Sequence, residues 1–206
     1  MFLGMDFSKH PNERLSLKET ALLAGVSEKS IRHELADKVV QPRRAEGRRL
    51  YFGVEDVFYL RLIAQLRFAL TKADRKHLFI LLTSNKAEQG PWRWKTDRLT
   101  LTGRVPTELW TTEVARETSE RLKLFLRGKR RVVSGPDTLG GEPIFEGTRI
   151  SVRHVGQLVK KGVPETELLE DFPALRRGDL KFARMFVELG RPPGRPKKLK
   201  FLRDNG

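Results

Sequence analysis

Two clusters of hydrogen-bond donors stand close together near the N-terminus of the sequence. The first occupies a segment predicted to be helical and contains Ser27, Lys29, Ser30, Arg32 and His33. The second lies in the glycine-containing segment that follows and contains Arg43, Arg44, Arg48 and Arg49. Side chains of these types donate hydrogen bonds to base edges and to phosphates, so the chemistry they suggest is nucleic-acid recognition.

Two predicted helices must hold the first cluster, and the sequence marks where they begin and end. Ser16 is followed three residues later by Glu19, which is the spacing of a capping box and predicts a helix start. Gly25 ends that helix, because only glycine enters the left-handed region at low cost. Ser27 then begins a second helix, which runs to about residue 35 and presents the first cluster on its outer side.

The segments that follow complete a larger arrangement. The spacing of a helix-turn-helix is carried by Ala21, Gly25, Val26 and Ile31. Residues 39–52 have apolar ends and a basic middle, which predicts a hairpin with an exposed tip that carries the second cluster. A long helix is predicted over residues 54–70, and Thr71 is the predicted cap of another helix.

This order of helix, turn, helix, hairpin and helix resembles the DNA-binding head of MerR-like and excisionase-like proteins. The resemblance implies a winged helix-turn-helix, with the second helix in the major groove and the arginine hairpin on phosphates or in a minor groove. The chain has no cysteine, which departs from the metal-responsive MerR proteins. The alternative is a small three-helix domain with a solvated basic face.

A second pattern lies between residues 141 and 152. Ile144 and Ile150 are predicted as short strand residues on either side of a tight turn at Gly147. Ser151 is the predicted cap of a helix over residues 152–161. Two more short helices are predicted after it, the first starting at Pro164 and the second at residue 178 or 179.

Residues 132–189 resemble the domain-of-unknown-function family 433. The residues that carry the resemblance are Gly141, Pro143, Gly147, Thr148, Arg149, Gly162, Leu168, Leu169, Asp171, Phe172, Pro173, Asp179 and Leu180. The resemblance implies a type II antitoxin of the VapB kind, in which a DNA-binding part is joined to a toxin-binding part. It also implies a PIN-like ribonuclease as the toxin partner. Arg149 has two interpretations: it contacts a partner or nucleic acid, or it bonds loop carbonyls or Asp171 within the domain.

The C-terminal segment, residues 190–206, is basic and rich in proline. Its cations include Arg191, Arg195, Lys197 and Lys198. Its two Gly-Arg-Pro triplets resemble an AT-hook core, which would lie in a narrow minor groove. The same cations could instead compete with the metal ion of a PIN-like toxin, or the segment could be a disordered solubilising tail.

Composition limits the function classes further. The chain has 206 residues and a formal net charge of +15, which favours an anionic partner. The absence of cysteine excludes disulfides, thiol catalysis and cysteine-ligated metals. There is no long apolar run and no basic N-terminal leader pattern, so a cytoplasmic location is expected.

Motifs of catalysis are not found in the sequence. The four histidines do not share a metal-ligand spacing, and neither a phosphate-binding loop nor a nucleophile elbow is present. We therefore expect no enzyme activity, no metal and no cofactor.

The predicted fold class is mainly α with short β hairpins. It combines an N-terminal winged helix-turn-helix with a C-terminal domain of a small β-hairpin and three helices that are themselves helix-turn-helix-like. The expected divisions are a flexible N-terminus (1–14), the DNA-binding domain with its following helices (15–88), a connecting strand and helix (89–130), the family 433 antitoxin domain (131–189) and the basic tail (190–206). The tryptophans of the connecting part, Trp92, Trp94 and Trp110, belong to the core or to a partner interface.

The function expected from these patterns is that of a homodimeric antitoxin and transcription repressor. It would neutralise a PIN-like ribonuclease within a hetero-oligomer and bind its own double-stranded operator DNA. The alternative is a stand-alone transcriptional regulator of the MerR or excisionase type without a toxin. A basic RNA-binding or ribosome-associated protein is a third possibility, which would show no sequence-specific DNA footprint.

Overall fold

The computed structural model describes residues 13–44, 50–66, 68–83, 90–95, 98–102, 107–135 and 139–190. Within these residues the chain forms eight α-helices and three small antiparallel sheets. This confirms the prediction of a mainly helical fold with short hairpins. In the described part of the chain, no helix combines the length and the apolar character needed to cross a membrane.

The first two helices are α1, Leu17–Ala24, and α2, Glu28–Ala36. The predicted capping box is confirmed, since the Glu19 amide donates to Ser16 Oγ at 3.3 Å and the Ser16 amide donates to Glu19 Oε2 at 2.8 Å. Gly25 has a φ of 72°, as the predicted helix end requires. Ser27 caps α2 by accepting the Ser30 amide at 3.0 Å. Local side-chain chemistry therefore sets the turn between the two helices.

The next elements are the two-stranded sheet of β1, Arg43–Arg44, with β2, Leu50–Tyr51, and the helices α3, Val54–Ala64, and α4, Lys72–Thr83. The prediction of one helix over residues 54–70 is wrong, because α3 ends at Ala64. The amides of Gln65 and Leu66 donate to carbonyls three residues back, which tightens and closes the last turn. Thr71 caps α4, accepting the Asp74 amide at 3.1 Å.

A three-stranded sheet follows, with β3, Trp92–Lys95, β4, Arg98–Leu101, and β5, Thr107–Trp110, in that order. Trp92, Leu99 and Leu109 are buried on one face of the sheet, as the two-residue period of a strand requires. Trp92 is buried, and its indole nitrogen donates to the Asp74 carbonyl at 3.1 Å. Trp110 is 58% exposed, and the Arg98 guanidinium lies 3.9 Å from its ring centroid. The sheet therefore attaches to α4 through Trp92 and leaves Trp110 outside.

The longest helix is α5, Thr112–Arg130, which packs against α1 and α3 as well as the last helix, α8, Arg177–Glu188. Its buried residues include Val114, Leu122 and Phe125. Phe125 contacts Phe182 of α8 with ring centroids 5.7 Å apart. A single buried cluster thus runs from Leu15 to Met185 through α5.

The last part contains β6, Val132–Val133, β7, Ile144–Phe145, α6, Val152–Lys160, and α7, Glu165–Asp171. The predicted tight turn at Gly147 is confirmed, with Ile144 bridged to Ser151 and the Phe145 amide donating to the Ile150 carbonyl at 3.1 Å. Ile150 itself is not part of a strand, and β7 pairs along its other edge with β6, which was not predicted. Pro164 lies one position before α7, at the cap and not in the first turn. The three C-terminal helices are present as predicted.

Candidate nucleic-acid interface

The outer side of α2 carries the first cluster of donors. Lys29, Arg32 and His33 are all exposed. Ser27 and Ser30 form the cap of α2. Their hydroxyl oxygens lie 2.8 Å apart, and the Ser30 amide also donates a hydrogen bond to Ser27 Oγ. The structure therefore brings the five predicted residues onto one helix, where three long side chains face solvent and two serines hold the helix start.

Two exposed side chains of α2 have acidic neighbours on the same helix or at its end. Arg32 donates to Glu28 Oε2 at 2.7 Å while 61% of its side chain stays exposed. His33 Nε2 lies 3.5 Å from Asp37 Oδ2. Burial alone would raise the pKa of Asp37, but Lys72, His33 and Arg75 together hold that pKa below its ordinary value. Asp37 is therefore ionised and partly neutralises the end of α2.

A buried carboxylate on the inner side of α2 connects this helix to α3 and α4. Glu34 is 5% exposed, and its Oε2 accepts a hydrogen bond from the Tyr59 hydroxyl of α3 at 2.9 Å. Its Oε1 lies 3.2 Å from Arg75 Nε of α4. Arg75 also donates to Asp37. Three helices thus meet at one carboxylate, and the outward face of α2 is fixed relative to α3 and α4.

The second cluster lies beside the start of α3. Arg43 is exposed over 68% of its side chain, and its Nη2 donates to Glu55 Oε1 at 3.2 Å. The backbone of Arg44 pairs with Leu50 in the sheet. Arg48 and Arg49 lie outside the described residues. Of the predicted hairpin arginines, the structure therefore shows the side chain of Arg43 within reach of an external anion.

A buried acid supports the junction between the hairpin and α3. Asp56 Oδ2 accepts the Gly53 amide at 2.8 Å and so caps the start of the helix. Burial is the main cause that raises the pKa of Asp56 to about 7, with Glu55 adding to the shift and Gly53 and Arg43 opposing it. The protonation of Asp56 therefore changes near neutral pH.

The glycine-rich turn of the C-terminal part is held by threonine. Gly147 has a φ of 73°. The Thr148 hydroxyl donates to the Phe145 carbonyl at 2.8 Å and accepts the Ile150 amide at 3.1 Å. Arg149 is exposed, as is Asp171, and the structure describes no contact between these two side chains. The turn is therefore closed without Arg149, which is left accessible to a partner.

The predicted tail cations, Arg191, Arg195, Lys197 and Lys198, lie outside the described residues. Among the residues that the structure does describe, no group of three histidine or acidic side chains could hold a metal ion. The positioning group of Glu34, Tyr59 and Arg75 was not predicted from the sequence. Only one signal was available for it, since Glu34 lies three residues after Ile31 and so falls on the inner stripe of α2.

Part of the chain is similar to known proteins. Residues 132–187 match the family described as protein of unknown function DUF433, which confirms the resemblance inferred for this segment. An uncharacterised protein of Sinorhizobium fredii, y4eO, is 35% identical over 80 residues, which make up 39% of this chain. The aligned part covers 36% of that relative's own length. No solved structure matches the chain significantly.

Proposed function

We propose that this protein binds double-stranded DNA through a winged helix-turn-helix formed by α1, α2, the β1–β2 hairpin and α3. The observation that carries the proposal is the exposed row of Lys29, Arg32 and His33 on a helix that Glu34 fixes from its buried side. A rigid helix with outward donors is the arrangement by which proteins read the major groove. Arg43 extends the same surface toward the DNA backbone.

The fuller role is that of an antitoxin and autorepressor of a type II toxin–antitoxin system. The DUF433 match over residues 132–187 supports it, through the resemblance to antitoxins of the VapB kind. In this role the C-terminal part, together with the basic tail, neutralises a PIN-like ribonuclease. The protein acts as a homodimer within the toxin complex, because paired heads match the two halves of a palindromic operator.

The alternative role is a stand-alone regulator of the MerR or excisionase type. It is favoured by the fact that the donors of α2 and Arg43 face solvent in a single chain, so that DNA binding needs no toxin. The two roles share the DNA-binding surface and differ in whether a protein partner exists.

Charge reversal tests the DNA-binding surface. The variant carrying Arg32→Glu and Arg43→Glu should lose specific binding to the DNA upstream of its own gene, measured by fluorescence anisotropy and footprinting. The control is Lys161→Glu with Lys181→Glu, which changes the net charge equally at exposed positions of the C-terminal part. Equal loss in both variants would mean that net charge, and not this surface, governs binding, and the proposed interface would be wrong.

A partner test separates the two roles. The N-terminally tagged protein is isolated from its own host after nuclease treatment, and the proteins bound to it are identified and quantified. A nuclease-like protein in near-equal amount, whose RNA cleavage stops when this protein is added, supports the antitoxin role. Binding of specific DNA with no such protein favours the stand-alone regulator.

A further inference from the structure

A groove lies on the side of α5 that faces the start of α8. Its volume is about 410 Å³, and its lining residues come from both helices and the turns beside them. The two helices run antiparallel here, because Gly128 of α5 packs against Phe182 while Arg131, just beyond α5, bonds to Asp179 in the first turn of α8. The groove is therefore part of the folded core and not a gap between loose segments.

The acidic side chains of the groove have hydrogen-bond partners, whereas most of its basic side chains form no ion pair within the described residues. Its two acids already have partners: Glu120 accepts from Arg116 at 2.7 Å, and Asp179 accepts from Arg131 and from a backbone amide. The three other cations of the lining are Lys123, Arg127 and Arg176. These three are exposed, and none of them forms an ion pair with another residue in the described part of the chain. The groove thus offers unpaired positive charge at its rim.

The floor of the groove is apolar and has free space above it. Leu124 is half-buried and lines the groove. A side-chain carbon added at Gly178 would approach only Leu124 Cδ1, at 3.9 Å, which is ordinary contact. A carbon added at Gly128 would instead collide with Phe182 Cγ at 2.0 Å. The open side at Gly178 therefore leaves room for an apolar side chain from outside.

We propose that this groove binds an acidic segment of a partner protein. One leucine-sized side chain of that segment enters the groove above Leu124, and carboxylates on either side of it pair with the cations of the rim. An apolar floor with a cationic rim fits such a segment better than a DNA backbone, which has no apolar side chain to place there. That the partner is a protein rests on the proposed antitoxin role.

The groove shares no lining residue with α2 or the β1–β2 hairpin. It lies at the start of α8, whereas Glu188 at the other end of that helix lines a cavity beside Gly25 and the α1–α2 turn. A helix of 12 residues spans about 18 Å. We therefore expect that DNA on α2 and an acidic protein segment in the groove do not compete for the same side chains.

The test uses the full chain and two fluorescent probes. The first is a short labelled peptide with one leucine flanked by glutamates, compared with the same peptide carrying glycine in place of leucine. The second is duplex DNA from upstream of the gene. Two variants alter the groove: Gly178→Leu fills it, and Lys123→Glu with Arg127→Glu reverses its rim. Their matched controls are Arg184→Leu, on the exposed side of α8, and Lys161→Glu with Lys181→Glu.

The expected result is that both groove variants weaken binding of the leucine peptide at least about tenfold, while both controls stay within about twofold of the unaltered protein. The glycine peptide should bind more weakly than the leucine peptide. Circular dichroism and thermal unfolding of each variant separate a lost contact from a lost fold. Gly178→Leu is the decisive variant, because it fills the groove and leaves every charge in place.

Other outcomes overturn the proposal. It fails if the leucine peptide shows no binding at millimolar concentration, or if Gly178→Leu binds it unchanged. It also fails if the groove variants lose DNA affinity and not peptide affinity, because the groove would then belong to the nucleic-acid surface. Loss of DNA binding in Arg32→Glu with Arg43→Glu, with peptide binding intact, keeps the two sites distinct. If peptide binding is intact but the unaltered protein binds no specific DNA, only the proposed DNA-binding function fails.

Discussion

The Tyr59 hydroxyl donates a hydrogen bond to Glu34 Oε2 at 2.9 Å, with both residues buried. Burial first, and then the negative charge of Glu34, raise the pKa of the Tyr59 hydroxyl above its ordinary value. The hydroxyl therefore keeps its proton and remains a donor. Because Glu34 belongs to α2 and Tyr59 to α3, this bond fixes the helix whose other side carries Lys29 and Arg32.

Removing this donor should destabilise the fold. Tyr59→Phe leaves a buried oxygen of Glu34 with one partner fewer, and we expect the free energy of unfolding to fall by about 1–3 kcal/mol in urea titrations. The control is Tyr51→Phe on β2, where the structure describes no hydrogen bond of the hydroxyl to any described residue. An equal loss in both variants would show that the Glu34 bond contributes nothing specific.

Three helical glycines should respond differently to alanine. A Cβ at Gly128 would lie 2.0 Å from Phe182 Cγ, and one at Gly156 would lie 2.2 Å from the Ala183 carbonyl oxygen. We expect Gly128→Ala and Gly156→Ala each to cost about 1–3 kcal/mol of stability, since the helices must move apart. Gly178→Ala should be neutral or stabilise by up to about 1 kcal/mol, because only the helix propensity changes. Thermal unfolding of the three variants measures the difference, and a uniform response would contradict the described packing of α5 and α6 on α8.

The parts of the fold that the sequence predicted are those decided within a few residues. Ser16, Ser27 and Ser151 each cap a helix through a bond to an amide three residues away. Gly25 ends α1 because its own backbone must be left-handed. Such features depend on residue type and short spacing, which a single sequence displays directly.

The features of the fold that were not predicted depend on residues that are far apart in the sequence. β7 pairs with Val132 and Val133, about a dozen residues earlier, and nothing in the local pattern around Ile144 indicates that second pairing. The site shows the same division. The outward row of α2 follows from helical spacing, but the bond between Glu34 and Tyr59 joins residues 25 positions apart. The groove on α5 needed the placement of α8 and could not be derived from spacing alone.

The stability of the protein should fall as pH rises toward 7 because of Asp56. Its folded pKa of about 7 is above the ordinary value of 3.8, so the folded state holds a proton that the unfolded state releases. The resulting stabilisation is complete below about pH 4 and is lost as pH rises through about 7. This one group contributes a slope of at most about 1.4 kcal/mol per pH unit.

The variant Asp56→Asn isolates this contribution. Its amide oxygen can still accept the Gly53 amide, but it has no charge to bury. We expect the free energy of unfolding of the variant, relative to that of the unaltered protein, to increase as pH rises from 5 to 8. Urea titrations at constant ionic strength measure it. At pH 4 the stability difference between the two proteins should be at its minimum. A difference that does not change with pH would mean that Asp56 is ionised throughout.

The ion pair between Arg32 and Glu28 leads to a prediction that the affinity for DNA can be raised. Glu28 holds the Arg32 guanidinium at 2.7 Å and adds a negative charge at the start of α2. If α2 lies against DNA, that charge repels phosphates and the pair must open before Arg32 can bind. Glu28→Gln should therefore strengthen specific DNA binding by about two- to tenfold at low salt, with a smaller gain at high salt.

Anisotropy titrations over a range of salt concentrations measure this effect, and Glu146→Gln at an exposed position of the C-terminal turn is the control for net charge. The slope of log affinity against log salt also reports phosphate contacts, at about 0.9 per contact on B-DNA. Lys29→Ala should lower that slope by about one contact. Weaker binding in Glu28→Gln would show instead that Glu28 orients Arg32 for a base, so the sign of the change decides between a screening and a positioning role for this carboxylate.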